Sequence, residues 1–388
     1  MRLSERMARL GTETAFDVLV RARALEAQGR EIVHLEIGEP DFDTPPHITA
    51  AAIEALKGGA THYGPSAGIP ELREAVAEDS TRRRGVKATP EMVVVTPGAK
   101  PIMFFVILAL VDPGDEVLYP NPGFPIYESM IRYIGGVPVP VRLREEKGFD
   151  LDVDQLCDKL GPRTRLVILN YPHNPTGGGI PEAGLRAIAD AAARHGVPVL
   201  SDEIYGRILY DTVNASIAAM PGMEPLAIVL DGFSKTYAMT GWRLGYGVMP
   251  APMAQVVAKL QTNSTSCTAT FSQKAAVVAL RGDQSSVERM VAEFRRRRDA
   301  IVEGLRTVPG VQCVRPSGAF YVFPNITGTG YSSRALADRL LEEAGVACLS
   351  GTAFGEFGEG HLRFSYANSM ENIEEALGRM RRLLARSR

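Results

Sequence analysis

The chain has 388 residues, of which 45% are hydrophobic and 23% charged, and its formal net charge is −2. This length and composition are typical of a globular protein with a sizeable core, organised as two domains or as one large domain with a smaller partner. A net charge so close to zero argues against nucleic acid or an anionic membrane as the main partner.

The cysteines and the apolar runs indicate in which cellular compartment the protein lies. Cys157, Cys267, Cys313 and Cys348 are scattered, with no CxxC pair and no neighbouring histidine at metal-ligand spacing. Free thiols in a reducing cytosol are the simplest account of them. The longest apolar stretch, 102–111, is half of what a membrane span needs, and the N-terminus has no apolar signal core. We therefore expect a cytoplasmic protein with no membrane segment and no bound metal.

Short β-branched runs alternate with longer helical patterns through the middle of the chain. The predicted strands lie at 93–96, 116–119, 166–169, 197–201, 227–230 and 244–248. The predicted helical segments between them lie at 101–111, 122–134 and 181–195. This alternation implies crossover units and predicts an α/β fold, in which a mixed, mostly parallel sheet is flanked by helices. In such sheets ligands bind at the carboxyl ends of the strands.

After about residue 284 the pattern changes. A long polar helix is followed by a strand-like run at 319–323, and helices are predicted from there to the end. One short run, 361–366, is again strand-like and contains Arg363 among apolar residues. An arginine in such surroundings should be paired with an anion.

Small residues open the helix predicted after the strand at 93–96. Gly98, Ala99 and Lys100 would expose backbone N–H groups at the start of that helix, which makes a ready anion site. Farther along, Asn174 lies in a turn after a predicted strand, and such turns occur in any protein.

Two further strand ends carry polar side chains. Asp202 and Tyr205 follow the strand at 197–201, where a carboxylate could also simply cap the next element. Lys235 follows the strand at 227–230, and burying its ammonium group is costly unless something compensates. Lysine forms imines with carbonyl compounds, including pyridoxal phosphate. Ser234 and Arg243 would then supply the hydroxyl and guanidinium groups that hold a phosphate beside it.

In their order and spacing these motifs resemble those of the class I aminotransferases, which are fold-type I pyridoxal phosphate enzymes. The resemblance runs from about Glu13 to about Asn368, nearly the whole chain. It implies a large cofactor-binding domain at 46–283. The two ends of the chain, 1–45 and 284–388, would together form a smaller α+β domain, with the N-terminal segment as a lid.

The resemblance also implies roles for the residues around the cofactor ring. Lys235 would bond the cofactor and then move the proton at the substrate's Cα. Asp202 would pair with the pyridine nitrogen and keep it protonated, so that the ring can accept electrons. Tyr205 and Asn174 would hydrogen-bond the phenolic oxygen of the ring. Phe124 would stack on the face of the ring, although a phenylalanine of the core is a competing interpretation.

The same resemblance places the phosphate and the substrate. The phosphate would be held by the backbone amides of 98–100, by Ser234 and by Arg243. Tyr63 matches a tyrosine that reaches the phosphate of the neighbouring subunit, which implies a homodimer with shared active sites. Arg363 would clamp the substrate's α-carboxylate, as its planar guanidinium geometry suits, and the backbone of Gly38 would lie beside the same carboxylate.

The implied reaction moves the amino group of an L-α-amino acid to a 2-oxo acid, such as 2-oxoglutarate or pyruvate, by a ping-pong mechanism. The substrate is less defined. Lys100 matches a lysine that faces the distal carboxylate in aspartate-specific relatives. Glu13 would repel such a carboxylate, and Phe16 would favour apolar or aromatic side chains, so a broader specificity for neutral, aromatic or even basic amino acids is equally open. The same residues would also serve a C–S β-lyase acting on cysteine conjugates, or a non-catalytic regulator that binds the cofactor.

Overall fold

A seven-stranded sheet forms the centre of the computed structural model, which describes residues 1–212 and 215–385. Residues 213–214 of the predicted large domain and residues 386–388 at the end of the predicted small domain lie outside these ranges. Within them the strands, in chain order, are β1 (Val33–His34), β2 (Val93–Thr96), β3 (Glu116–Asn121), β4 (Val137–Arg142), β5 (Thr164–Asn170), β6 (Val199–Asp202), β7 (Ala227–Gly232), β8 (Gly245–Val248), β9 (Tyr321–Val322), β10 (Val346–Ala347), β11 (Leu349–Ser350) and β12 (Leu362–Ser365).

The strand order of the large sheet is β2-β8-β7-β6-β5-β3-β4. From β4 to β7 all neighbours run parallel, whereas β8 runs antiparallel to both β7 and β2. All six predicted strands are present in this sheet. The prediction of an α/β fold with a mixed, mostly parallel sheet is therefore confirmed.

The sequence analysis missed β4, and its composition explains why. The strand reads Val-Pro-Val-Pro-Val-Arg, and prolines lack the N–H group that a central strand must donate. In the structure β4 pairs only with β3, at the edge of the sheet, where the missing donors cost little. A proline-containing run of this kind is therefore compatible with an edge strand.

Helices cover both faces of the sheet. In the described ranges they are α1 (Ala15–Glu26), α2 (Pro46–Lys57), α3 (Pro70–Arg84), α4 (Lys100–Leu110), α5 (Pro125–Ile134), α6 (Val153–Lys159), α7 (Glu182–His195), α8 (Ala251–Thr265), α9 (Thr270–Arg281), α10 (Ser285–Arg306), α11 (Ser333–Ala344) and α12 (Met370–Ala385). Successive residues of β5 show the two faces: Leu166 and Ile168 pack with residues of α4 and α5, whereas Val167 and Leu169 pack with residues of α7. Both faces of β5 are therefore apolar, as a strand buried on both sides requires.

The two ends of the chain pack together in a second core. Val33 and Leu35 join residues of α10, α11 and α12 in one buried cluster. Here β1 pairs with β10 in parallel, and β12 lies between β11 and β9 in a small antiparallel sheet. Beyond 323 the predicted helices are present as α11 and α12, and β12 lies within the strand-like run predicted at 361–366. The strands β10 and β11 were not predicted, because each has only two residues, too few to produce a detectable alternation.

The connections at the carboxyl edge of the large sheet position the polar side chains predicted from the sequence. Asp202 is the last residue of β6, and Lys235 follows the end of β7 by three residues. Asn174 follows β5 by four residues, and Lys100 is the first residue of α4, which follows β2. Among the residues described, no helix combines the length and the apolar composition needed to cross a membrane.

Candidate active site

A cavity of about 570 Å³ opens at the carboxyl edge of the large sheet. This volume is in the usual range for a site that binds a small molecule. All but two of the predicted site residues line it: Phe16, Gly38, Ala99, Lys100, Phe124, Asn174, Asp202, Tyr205, Ser234, Lys235, Arg243 and Arg363. The fold thus brings together residues from both ends of the chain and from five connections of the sheet.

The amine of Lys235 lies within this cavity and has no carboxylate partner among the described residues. Its Nζ donates a hydrogen bond to the carbonyl oxygen of Gly38, at 2.6 Å. Burial lowers the pKa of Lys235 to about 8, although the charges of Glu39 and Glu13 favour the protonated form. An amine with such a pKa is a better nucleophile and base near neutral pH than an ordinary lysine.

Asp202 is a buried carboxylate that lines the same cavity. Its Oδ2 accepts a hydrogen bond from the hydroxyl of Tyr127 at 2.6 Å, and its Oδ1 accepts one from the backbone N–H of Ile204 at 3.2 Å. Burial raises the pKa of Asp202 to about 6, while these hydrogen bonds act in the opposite direction. A buried carboxylate with spare lone pairs can accept a further hydrogen bond from a ligand.

Part of the cavity wall is suited to an anion. Ala99 is the N-cap of α4, and Ala99 and Lys100, at the start of this helix, both line the cavity, so their backbone N–H groups are candidate donors. The Ser234 side chain and the Arg243 guanidinium line the same cavity. Arg243 adopts φ +54°, a left-handed conformation that costs a non-glycine residue roughly 1–3 kcal/mol. Backbone strain of this kind clusters at functional sites.

Gly98 does not line the cavity but makes room for Arg243. A Cβ atom at Gly98 would lie 2.4 Å from Nη2 of Arg243, and Gly98 has φ +87°. Both the space and the conformation therefore require glycine. The sequence-based prediction assigned Gly98 a backbone contact with the phosphate, and the structure adds this steric reason for its presence.

Asn174 and Tyr205 also line the cavity, and Asn174 contacts Arg363. The Asn174 Oδ1 atom accepts a hydrogen bond from Nη1 of Arg363 at 3.3 Å, which leaves the amide N–H₂ group free to donate elsewhere. The hydroxyl oxygens of Tyr205 and Tyr321 are 2.6 Å apart. Tyr321 also explains Gly38, because a Cβ there would lie 2.0 Å from the Tyr321 hydroxyl.

Arg363 is buried and held from several sides. Its guanidinium carbon lies 4.6 Å from the ring centre of Tyr321 and 5.0 Å from that of Phe354. Nη2 donates to the carbonyl oxygen of Glu36, and Nε has no hydrogen-bond partner among the described residues. An unpaired N–H on a buried, fixed guanidinium group is suited to a carboxylate ligand.

The mouth of the cavity carries an ion pair that the sequence analysis did not anticipate. Nζ of Lys100 contacts Oε1 of Glu13 directly, and it lies 5.3 Å from the ring centre of Phe124. Phe16 is 58% exposed and faces the same cavity. The charge of Lys100 is thus compensated by a residue of the chain itself.

Tyr63 lies away from the cavity and is 90% exposed. Conversely, several cavity residues were not predicted: Glu13 as a partner of Lys100, Glu39, Asn170, Tyr127 and Tyr321. Asn170 had a usable signal, because it ends a strand beside Asp202, and its Nδ2 donates to the carbonyl oxygen of Asp202 at 3.2 Å. Tyr127 and Tyr321 are aromatic residues within apolar patterns, where packing alone explains their presence.

A buried ion cluster joins the strand ends that carry Asp202 and Lys235. Nε of Arg84, at the end of α3, donates to Oε2 of Glu203 at 2.6 Å, and Nη2 of Arg84 contacts Asp231. All three side chains are almost completely buried. Burying charged groups costs free energy, and a buried ion cluster therefore adds little net stability. We interpret this cluster as an interaction that fixes the ends of β6 and β7 relative to each other.

The groups that line the cavity fit pyridoxal phosphate. The same cavity contains anion donors, a buried carboxylate that can accept a hydrogen bond from a ring nitrogen, and the Lys235 amine. Arg363 adds an unpaired N–H group for a carboxylate. These are the features that a phosphate, a pyridine nitrogen, a carbonyl group and an amino acid require.

Comparisons with known proteins identify the family of the chain. A family model for aminotransferase class I and II matches residues 30–380. The chain is 40% identical to the probable aspartate/prephenate aminotransferase of Aquifex aeolicus, over 98% of each chain. It is 44% identical to aromatic-amino-acid aminotransferase 2 of Thermococcus litoralis, over 92% of this chain and 93% of that protein. The solved structure of the Thermus thermophilus aspartate aminotransferase with maleate has a TM-score of 0.95 at 40% identity, covering 99% of this chain and 100% of that one. The chain therefore belongs to the class I and II aminotransferases, pyridoxal phosphate enzymes that move amino groups between amino acids and 2-oxo acids.

Proposed function

We propose that this enzyme transfers the amino group of an L-α-amino acid to 2-oxoglutarate or pyruvate by a ping-pong mechanism, with Lys235 as the residue that bonds the cofactor and moves the proton. The observation that carries the proposal is the presence of the Lys235 amine, the Asp202 carboxylate and the Arg363 guanidinium group in one cavity. Bound pyridoxal phosphate supplies an electron-accepting ring and a carbonyl group for the amino group that is transferred.

Each of the other steps is assigned to a residue of the chain. Arg363 binds the α-carboxylate of the substrate, so that the Cα–H bond is held near Lys235. Once free, the neutral Nζ of Lys235 takes the Cα proton and later donates it, as base and then acid. Asp202 holds a proton on the ring nitrogen by accepting its hydrogen bond. Tyr205 and the Asn174 amide donate to the phenolic oxygen.

A spectroscopic experiment tests this reaction type. Cofactor-loaded enzyme is mixed with single L-amino acids in the absence of any oxo acid, and the visible spectrum is followed. We expect the visible absorbance of the cofactor to decrease as it is converted to its amine form, with one molecule of oxo acid released per active site. An unchanged spectrum with accumulating ammonia and pyruvate would indicate β-elimination instead, and it would contradict the proposed transfer.

For the substrate, we propose neutral or aromatic amino acids as the preferred donors. Two contacts support this choice: Glu13 neutralises Lys100, and Phe16 presents an apolar ring to the cavity. A second carboxylate on the substrate would have to displace Glu13 from Lys100. The name of the aromatic-amino-acid relative fits this class, whereas the name of the aspartate/prephenate relative fits a dicarboxylic donor.

Substitutions of the Glu13–Lys100 pair are expected to separate these donor classes. Glu13→Gln should raise kcat/KM for aspartate and glutamate about tenfold, because it frees Lys100 and removes a repulsion of about 1–2 kcal/mol. Phenylalanine, which has no distal charge, should change less than twofold. Lys100→Ala provides the complementary measurement: an even loss across donors fits the proposal, and a selective loss with aspartate or glutamate would contradict it.

The pKa of Lys235 sets an expected pH dependence for cofactor capture by the cofactor-free protein. Only the neutral amine attacks a carbonyl group, and its fraction rises about tenfold per pH unit below the pKa. Because this pKa is about 8, the capture rate should rise about tenfold from pH 6 to pH 7 and level off above pH 8. Stopped-flow absorbance measures this rate. A rise that continues toward pH 10, as for an ordinary lysine, would show that the amine is not perturbed.

We also propose the domain division given above, with 1–45 as a lid, and a homodimer with shared sites. The division is supported by the sheets, since the large one uses only residues 93–248. Tyr63 supports the dimer, because its side chain is 90% exposed and is free to reach a second subunit. A monomer at micromolar concentration in sedimentation experiments would contradict the dimer.

A further inference from the structure

Tyr127 lies in the first turn of α5, and its buried side chain forms part of the cavity wall. Its hydroxyl donates a hydrogen bond to Oδ2 of Asp202 at 2.6 Å. Its ring also packs edge-on against Phe124, with the ring centres 5.5 Å apart. One side chain thus supports two residues that the cofactor ring would contact.

The surroundings of Asp202 make this hydrogen bond important. The described residues offer Asp202 no ion pair, and its carboxylate accepts hydrogen bonds from Tyr127 and from the backbone of Ile204. The nearby carboxylates of Asp231 and Glu203 disfavour a negative charge at Asp202. A buried carboxylate in this position would therefore tend to take up a proton, and a protonated Asp202 cannot hold the proton of a ring nitrogen.

Tyr127 has the properties of a permanent donor. Burial and the adjacent Asp202 raise its pKa well above the usual value for tyrosine, so its hydroxyl keeps its proton at any pH at which the enzyme would work. A hydrogen bond from a neutral donor favours the ionised form of a carboxylate. It also fixes which lone pairs of Asp202 face the cavity.

We propose that Tyr127 is a positioning residue, which keeps the Asp202 carboxylate ionised and aimed at the ring nitrogen of the bound cofactor. This inference rests on the proposed role of Asp202. Tyr127 acts through Asp202, while its ring keeps Phe124 at the cavity wall. Its contribution is therefore to the binding and the protonation of the cofactor ring, before any substrate enters.

Tyr127→Phe removes the hydroxyl and keeps the ring that packs against Phe124, so the variant should fold. Tyr119→Phe is a matched control. Tyr119 is also buried, and its hydroxyl donates to Oε2 of Glu128 at 2.7 Å, without a contact to Asp202. Each variant loses one buried tyrosine hydroxyl from the same region. Only Tyr127→Phe removes a hydrogen bond to Asp202.

The measurement is the dissociation constant of pyridoxal phosphate, determined by equilibrium dialysis between pH 5.5 and pH 8.5. For Tyr127→Phe we expect binding on the order of tenfold weaker at pH 7, because a hydrogen bond to a charged group is lost. Protonation of Asp202, whose pKa is about 6, should weaken binding, and in Tyr127→Phe this weakening should begin at higher pH. The phosphate of the ligand and the Lys235 amine also titrate between pH 5.5 and pH 8.5, but they do so equally in all variants, so the difference between Tyr127→Phe and Tyr119→Phe reports on Asp202.

Asp202→Asn separates failure of this inference from failure of the proposed function. If Asp202→Asn binds the cofactor as tightly as the wild type, the assigned role of Asp202 is wrong, and the inference falls with it. If Asp202→Asn binds weakly while Tyr127→Phe matches Tyr119→Phe at every pH, the role of Asp202 stands and the inference about Tyr127 is overturned. Weak binding by both, with Tyr119→Phe unchanged, supports it.

Discussion

Lys235→Ala is expected to lower kcat by about 10⁴-fold or more, because the substitution removes both the amine that bonds the cofactor and the base that moves the Cα proton. Lys100, the other lysine of the cavity, is engaged by Glu13 and does not replace it. The cofactor-free variant should be at least as stable as the wild type. Lys235 makes one hydrogen bond, to the Gly38 carbonyl, and burial disfavours its ammonium form. Single-turnover spectroscopy and thermal unfolding measure the two effects.

Lys57→Ala is the control for this experiment. Lys57 pairs with Glu54 on the surface, where both side chains are about 70% exposed, and its removal should change neither kcat nor the unfolding temperature measurably. Full activity in Lys235→Ala would contradict the proposed mechanism, because it would show that Lys235 is not needed for cofactor bonding or proton transfer. A variant that is inactive because it is unfolded would contradict the expected stability, and far-ultraviolet circular dichroism distinguishes that case.

Arg363→Lys is expected to lower kcat/KM for amino acids about 10²-fold. Lysine keeps the positive charge but loses the planar fork that binds a carboxylate through two N–H groups. It also loses the stacking on Tyr321 and Phe354, which fixes the present orientation. The loss of one charged hydrogen bond and of its orientation corresponds to roughly 2–3 kcal/mol.

The diagnostic measurement for Arg363 compares an amino acid with the corresponding amine that has no carboxylate. The wild type should strongly prefer the amino acid, and Arg363→Lys should lose most of this preference while it reacts with the amine at an unchanged rate. Arg381→Lys, which alters an arginine of α12 that donates to Thr307 at the surface, should retain the full preference. An undiminished preference in Arg363→Lys would show that the carboxylate binds elsewhere.

The large sheet could be predicted because its strands are buried on both faces. Val93 to Val95 and Leu166 to Leu169 are continuous apolar runs, which are typical of strands covered by helices on both faces. This holds both for β5, inside the parallel part of the sheet, and for β2, which pairs only with the antiparallel β8. Strand β4 lies at the edge and contains two prolines, so its sequence has no such signal. The two-residue strands β10 and β11 form because partners from distant segments lie beside them, and no local pattern encodes that.

Most of the cavity was predictable for a different reason: cofactor chemistry needs particular side chains directly after strands, and Asp202 and Lys235 meet that requirement in the sequence itself. The interactions among the residues were not predictable. The pairing of Lys100 with Glu13 joins positions 87 residues apart, and the contact of Tyr205 with Tyr321 spans 116 residues. These contacts depend on packing of the two ends of the chain against the sheet, which a linear pattern does not contain.

The buried cluster of Arg84, Glu203 and Asp231 has a consequence for how this protein is made. Arg84 is separated from its two partners by 119 and 147 residues. Until β7 has been synthesised, the guanidinium group of Arg84 lacks the Asp231 carboxylate, and before β6 is complete it lacks Glu203 as well. The N-terminal part of the chain therefore cannot settle into its final packing during translation, because an unpaired buried charge is strongly unfavourable. We expect fragments that end before Asp231 to remain open and sensitive to proteases, and the large sheet to close only after β7 has been synthesised.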